Sequence, residues 1–214
     1  VAIERINRMV QEATLAPDYP GVAVMYDVVG TYRYPDTLIV WHPSGSPVNP
    51  LGPPLVSECL FYCPDPSNPA QLVELTAPSN TSTLTFDPAT LNTTAWRTTI
   101  NGIKTASTSQ KTLLTELLRT ANPTGQSSVR GCVRFELTLN PPTSEITSYK
   151  GGSLAWTSIN WPTVMYSNSH GMRQVRVRTE LQLMPDNLAG KVDNTGGNAI
   201  PFFSSVARYQ LLVP

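Results

Sequence analysis

Within residues 173–184, positions 174–183 alternate without a break, with Val175, Val177, Thr179, Leu181 and Leu183 on one side and Gln174, Arg176, Arg178, Glu180 and Gln182 on the other. A period of two marks a strand with one apolar face and one wet face. Such a strand belongs in an antiparallel sheet, because strands of a doubly wound parallel sheet are apolar on both sides. Residues 129–139 repeat the pattern less strictly through Val129, Val133, Phe135, Leu137 and Leu139. Residues 153–156 and 205–213 are further strand candidates, the last following a loop rich in Gly and Asn.

Nearer the start, residues 22–29 are apolar and β-branched, and 37–41 form a short apolar run between turn-forming Pro35-Asp36 and Pro43-Ser44-Gly45. Both read as strands, as does 55–63. The connection 43–54 carries Pro43, Pro47, Pro50, Pro53 and Pro54, which bars regular structure and makes it an exposed loop. Residues 65–69 form another turn cluster.

Helical spacing appears in three places. Ile3, Ile6, Val10 and Ala13 make one apolar stripe, with Glu4, Arg5, Arg8, Gln11 and Glu12 on the other faces. The pattern stops near Pro17, and a helix of roughly 14–16 residues is marginal alone in water. It therefore packs on a body or continues upstream, and Ile3, Ile6 and Val10 are predicted to hold it against a sheet. Mid-chain, Asp87-Pro88 reads as a helix start followed by Leu91, Ala95, Trp96, Ile100 and Ile103 at helical spacing. A second helix is expected over 111–119, where Leu113, Leu114, Leu117 and Leu118 form an apolar face that Asn122-Pro123 ends.

Composition narrows the function classes. Charged residues are 14% of the 214, against roughly 25% in typical globular chains, and 15 basic residues balance 15 acidic ones. A neutral chain has no electrostatic footprint for nucleic acid, which is excluded as a main partner. No run of 18 apolar residues occurs, and without internal repeats or a second linker residues 1–214 read as a single domain.

Catalytic signatures are missing from the sequence: there is no Gly-x-Ser-x-Gly elbow, phosphate-cradling loop, dinucleotide fingerprint or His-Glu-x-x-His helix. His170 lies near Ser167 and Ser169 with no acid marked beside it, and reads as a turn histidine, as His42 reads as a strand-end residue. No enzyme activity is expected. Three weaker constellations remain. Cys59 and Cys63, about 13 Å apart along a strand, are too far apart to bond to each other. Either all three cysteines are buried apolar thiols, or one of Cys59 and Cys63 bridges to Cys132. Asp186, Asp193 and Asn198 place hard oxygen donors on a Gly-permissive loop, which suits a turn or a Ca²⁺ ion. Trp156 and Trp161, with Tyr149 and Tyr166, are either core residues or a platform for stacking on a sugar.

The first 13 residues, with Ile3-Glu-Arg-Ile-Asn-Arg-Met-Val-Gln-Glu-Ala13 leading through a Pro into a β-rich region with a few Cys, resemble the end of the long N-terminal helix of prepilin-like proteins, especially the J-type minor pseudopilins of type II secretion. The resemblance implies an apolar membrane helix preceding Val1, anchorage in the inner membrane with the body on the periplasmic side of a bacterial envelope, and other pilin-like subunits as partners. Ile3, Ile6, Val10 and Ala13 would then pack partner helices. The fold class expected is α+β: an N-terminal helix over residues 1–16, packed on antiparallel β-sheet in a pilin-like or pseudopilin-like head over 17–214, with a helical insertion at about 88–120. The expected role is structural assembly without catalysis or a required cofactor. The alternative is a β-sandwich or jelly-roll module that binds carbohydrate through Trp156 and Trp161.

Overall fold

A strand segment that is apolar at every position needs cover on both faces, because successive side chains point to opposite sides. Leu38-Ile39-Val40-Trp41 is such a segment, and all four side chains are fully buried. The computed structural model, which describes residues 1–87, 90–123, 126–162 and 164–214, shows how.

Helix α1 (Ala2–Glu12) is followed by strands β1 (Val22–Val29), β2 (Tyr32–Trp41), β3 (Cys59–Asp65) and β4 (Asn68–Thr76), then helix α2 (Thr94–Thr105) and strand β5 (Gln110–Thr115). β1 to β5 form one antiparallel sheet in chain order. β6 (Thr120–Ala121) and β7 (Arg130–Gly131) make a short ribbon. β8 (Val133–Asn140), helix α3 (Thr143–Lys150), β9 (Gly171–Leu183) and β10 (Ile200–Leu212) complete the chain, with β10, β9 and β8 hydrogen-bonded in that order as a second antiparallel sheet.

Alternate residues of the first sheet enter different cores. Ile39, Trp41, Phe61, Cys63, Val73 and Leu75 face Leu84, Phe86 and the apolar side of α2, namely Trp96, Ile100 and Ile103. Leu38, Val40, Tyr62 and Leu72 face the other way and meet Ile6, Met9, Val10 and Ala13 of α1 together with Phe135, Val175, Val177 and Leu181 of the second sheet. Tyr149, Trp156, Ile159, Trp161 and Leu212 form a third, smaller cluster.

The fold class therefore differs from the α+β, pilin-like expectation. Helix makes up only 19% of the chain, and the architecture is a β-rich one of antiparallel sheets, not a helix-on-sheet pilin fold. α1 is 11 residues long and fills space between two sheets. The expected helical insertion reduces to α2. Its start is set by Thr93, whose Oγ1 accepts from the Trp96 N–H at 3.3 Å, whereas the predicted start at Asp87-Pro88 falls partly outside the described residues, at position 88.

The predicted helix at 111–119 is a strand instead. Val73 pairs with Leu113 and Glu74 with Thr112, so ladder bonds to β4 override the helical spacing of the leucines, of which Leu118 is buried and Leu113 half-exposed. The strand expected at 153–156 is a turn leading into a single 3₁₀ turn at Trp156–Ser158. By contrast, β1 has the bounds read from sequence, and β9 buries Val175, Val177, Thr179 and Leu181 while exposing Arg176 and Arg178.

Candidate functional site

The N-terminal helix is held by groups brought from far along the chain. Its own last turn has no basic residue to complement the carbonyl end of the helix dipole. Arg208 on β10 supplies that charge: its Nη1 donates to the Val10 carbonyl at 3.0 Å and also to the Ala13 carbonyl. The carbonyl of the C-cap residue Ala13 thus gains a partner, and that of Val10, which already accepts from the Ala13 N–H, gains a charged one. Burial lowers the Arg208 pKa from its ordinary value. Gln210, two residues on and on the same face, donates to the Ala16 carbonyl, and Ser204 donates to Asn7 Oδ1 at 2.9 Å.

On the opposite side the helix is pinned to the first sheet. Arg5 places Nε and Nη2 each 2.7 Å from an oxygen of Glu74, and the Tyr62 hydroxyl donates to the same carboxylate at 2.7 Å. Burial pushes the Glu74 carboxyl up, but the Arg5 and Tyr62 hydrogen bonds and the Arg5 charge outweigh it, so it lies below its ordinary range. The same bond to Glu74 raises Arg5. Burial, reinforced by Glu74, raises Tyr62. The fork is a two-bond, charge-assisted contact and fixes the angle of the helix as well as its position.

With one side buried, α1 exposes Glu4, Arg8, Gln11 and Glu12. Among the described residues Arg8 and Gln11 make no side-chain hydrogen bond, while Glu12 lies 3.4 Å from His42 and Glu4 3.3 Å from the Val1 amine. Ile6, Val10 and Ala13 are buried in the chain's own core with Met9, which the sequence reading omitted, and Ile3 is half-buried. The expectation that Ile3, Ile6, Val10 and Ala13 pack partner helices is therefore corrected: those side chains face the two sheets.

A charged cavity of about 260 Å³ lies between α2, β7 and the turn joining β3 to β4. Arg130 Nη2 sits 2.8 Å from Asp27 and 2.7 Å from Asp36, and its guanidinium lies over the Tyr34 ring. The buried Lys104 donates to Thr37 Oγ1 at 3.1 Å, and Lys111 bonds Asp65 at 2.8 Å. Burial raises the Asp27 and Asp65 carboxyls, but Arg130 in one case and Lys111 with Ser67 in the other carry both below their ordinary values. The Cys63 thiol, within reach of these charges, is pushed up to about 12 by burial and stays protonated at neutral pH. Three carboxylates face three cations here, which makes the cluster a neutral clamp joining the first hairpin to β7. At Gly131 an added Cβ would lie 2.4 Å from the Pro69 carbonyl, so only glycine lets β7 approach this closely.

The other sequence candidates fall in separate places. Cys59, Cys63 and Cys132 are free thiols, so the disulfide to Cys132 is corrected: Cys59 and Cys63 point into the core under α2, while Cys132 flanks β8 beside Glu180 and Gln182. Asp193 accepts from the Thr195 N–H and hydroxyl and from the Gly196 N–H through Oδ1, at 2.9–3.0 Å, which is the turn use of these residues. Asp186 and Asn198 are exposed, and among the described residues no group of three or more His, Cys, Asp or Glu side chains is placed to hold a metal ion. Trp156 and Trp161 are 9% and 7% exposed, with ring centroids 4.6 Å apart and both indole N–H groups donating to backbone carbonyls. The stacking platform expected there is corrected to a core cluster, of which only Tyr166 stands substantially in solvent.

Arg208, Glu74, Tyr62 and the Asp27–Asp36–Arg130 group escaped the sequence reading because their partners lie 69 to 198 residues away in most cases. One signal was present: Glu74 is a charge inside the apolar run Leu72-Val73-Glu74-Leu75, and a buried acid requires a partner. The chain matches no protein-family model, no curated protein and no solved structure.

Proposed function

We propose that this protein is a non-catalytic assembly subunit of a bacterial envelope filament or secretion apparatus, with the outward face of α1 as its contact surface. The observation that carries the reading is the seating of α1. An 11-residue helix would be marginal alone, yet this one is fixed by the Arg5–Glu74 fork and by Arg208, and it holds the exposed Glu4, Arg8, Gln11 and Glu12 as a rigid polar row.

The likeness of that segment to J-type minor pseudopilins supplies the class of partner, other pilin-like subunits on the periplasmic side of the inner membrane. The reading does not use a pilin fold for the body. Among the described residues no helix is long and apolar enough to cross a bilayer. Exposed charge pairs contribute about 0–1 kcal/mol each, so several of them acting together, or an additional attachment, hold the subunit in place.

The test is affinity recovery of the full-length protein from detergent-solubilised envelope, with the co-purifying proteins identified by mass spectrometry. Recovery of a pilin-like subunit, reduced at least tenfold by Arg8→Glu with folding intact, is the expected result. Equal recovery by wild type and Arg8→Glu, or turnover of a substrate by the purified protein, contradicts the reading.

A further inference from the structure

Sheet edges present unpaired backbone N–H and C=O groups, and folded proteins cover, shorten or charge them. Among the described residues, three of the four edges of the two larger sheets are managed. On β1, Asn92 closes the edge with its side chain, its Oδ1 accepting from the Tyr26 N–H and its Nδ2 donating to the Val24 carbonyl, both at 3.0 Å. β5 is six residues long and carries Lys111. β8 lies against β1 and β2.

The fourth, β10, is 13 residues long and, among the described residues, pairs through its backbone only with β9. Its register with β9 shows which groups are open. Gln182 sends its N–H to the Cys132 carbonyl and accepts from the Arg119 N–H, both away from β10. Pro201 is paired with Gln182, so alternation turns the backbone groups of Phe203, Ser205, Ala207, Tyr209 and Leu211 outward as well. Phe203 is 57% exposed, Leu211 58% and Tyr209 41%. The strand's charged side chain, Arg208, is turned inward to α1.

We infer that β10 pairs antiparallel with β10 of a second copy of this chain, about a two-fold axis at Ala207. In that register Phe203 of each copy lies beside Leu211 of the other, Ser205 lies beside Tyr209, and the smallest side chain sits on the axis. No charge meets a like charge along the edge. The two Arg176 side chains, each paired with Ala207, are three strand spacings apart, about 14 Å, which is beyond the screening length of about 8 Å at physiological salt. Large apolar side chains that are half-exposed offer roughly 100 Å² apiece. Even if wholly covered in both copies, Ile200, Phe202, Phe203, Tyr209 and Leu211 offer about 1,000 Å² at most, no more than the lower bound for a specific interface. The dimer is accordingly weak and concentration-dependent. It does not rest on the assembly reading, because it is argued from the β10 backbone and side chains and not from the polar residues of α1.

Sedimentation velocity of the chain from about 1 μM to about 1 mM is the test, and a reversible twofold rise in mass is the expected result. Ala207→Lys places two like charges on the axis and should weaken association at least tenfold with an unchanged circular dichroism spectrum. A thiol introduced by Ala207→Cys faces its copy at about 5.5 Å between Cα atoms, within disulfide range, and should cross-link under mild oxidation. Ser205→Cys thiols would be about 13 Å apart and should not. A monomer at the highest concentration, a dimer indifferent to Ala207→Lys, or cross-linking through Ser205→Cys in place of Ala207→Cys overturns the proposal.

Discussion

Arg5 meets Glu74 side-on, with Nε and Nη2 each 2.7 Å from a carboxylate oxygen, and so joins the first helix to the fourth strand across 69 residues of chain. Glu74 is 6% exposed at its side chain and Arg5 35%. Breaking a fully buried ion pair costs about 3–5 kcal/mol because a charge is left without a partner. Since Arg5 is partly hydrated, Arg5→Ala is expected to cost about 2 kcal/mol, and Tyr62→Phe, which removes one bond to the same carboxylate, about 1 kcal/mol. Urea unfolding midpoints measure both. If Arg5→Ala leaves the midpoint unchanged, the fork does not anchor α1.

Stability should fall in acid. Glu74, Asp27 and Asp65 all titrate below their ordinary values in the folded chain. Between the folded and unfolded pKa values the unfolded chain binds more protons, so stability rises with pH through that window. The contribution is fully present above about pH 5 and is lost as pH falls below about 4 and through the folded values. Urea midpoints at stepped pH should show this slope, and Glu74→Gln should flatten it. A midpoint independent of pH over that range would remove these carboxylates from the stability argument.

The helix stripe should be energetically uneven. Ile6 and Val10 are fully buried and Ile3 is only half so. Truncation of a buried Ile to Ala costs about 2–5 kcal/mol, whereas peripheral substitutions stay within about 1 kcal/mol. Thermal unfolding of Ile6→Ala and Ile3→Ala should therefore differ by several degrees. Equal effects would mean that α1 is not docked as described.

Three thiols should titrate in denatured, unreduced protein, and a reductant should leave the thermal midpoint unchanged. In the native state Cys59 and Cys63 should react slowly, because burial raises both thiols and keeps them protonated. Two thiols missing from the denatured count would restore a disulfide and displace the arrangement of cores described here.

What the sequence disclosed was local. The alternation of 173–184 is a property of neighbouring residues and marks β9, and the stripe Ile6, Val10, Ala13 likewise marks α1 and its buried side. The leucines at 113–118 have helical spacing, yet β4 offers them a ladder that no local pattern records. Asn68–Thr76 carries Pro69 and Glu74, which blur its strand signal, and both residues acquire their meaning from distant contacts, with Gly131 and with Arg5 and Tyr62. Trp156 and Trp161 are as compatible with a binding platform as with a core until Tyr149, Ile159 and Leu212 are placed around them. The outward row of α1 was legible, whereas the groups that hold the helix in place, Glu74 and Arg208, were not.

The most direct test of the assembly role is photo-cross-linking in the intact cell, with a photoreactive amino acid replacing Arg8 and, as a control, Val48, which is 72% exposed in the proline-rich loop. The expected result is an adduct to a pilin-like envelope subunit from position 8 and none from position 48. Folded, correctly localised protein that gives no adduct at position 8, or the same adducts at both positions, would contradict the assignment of α1 as the contact surface.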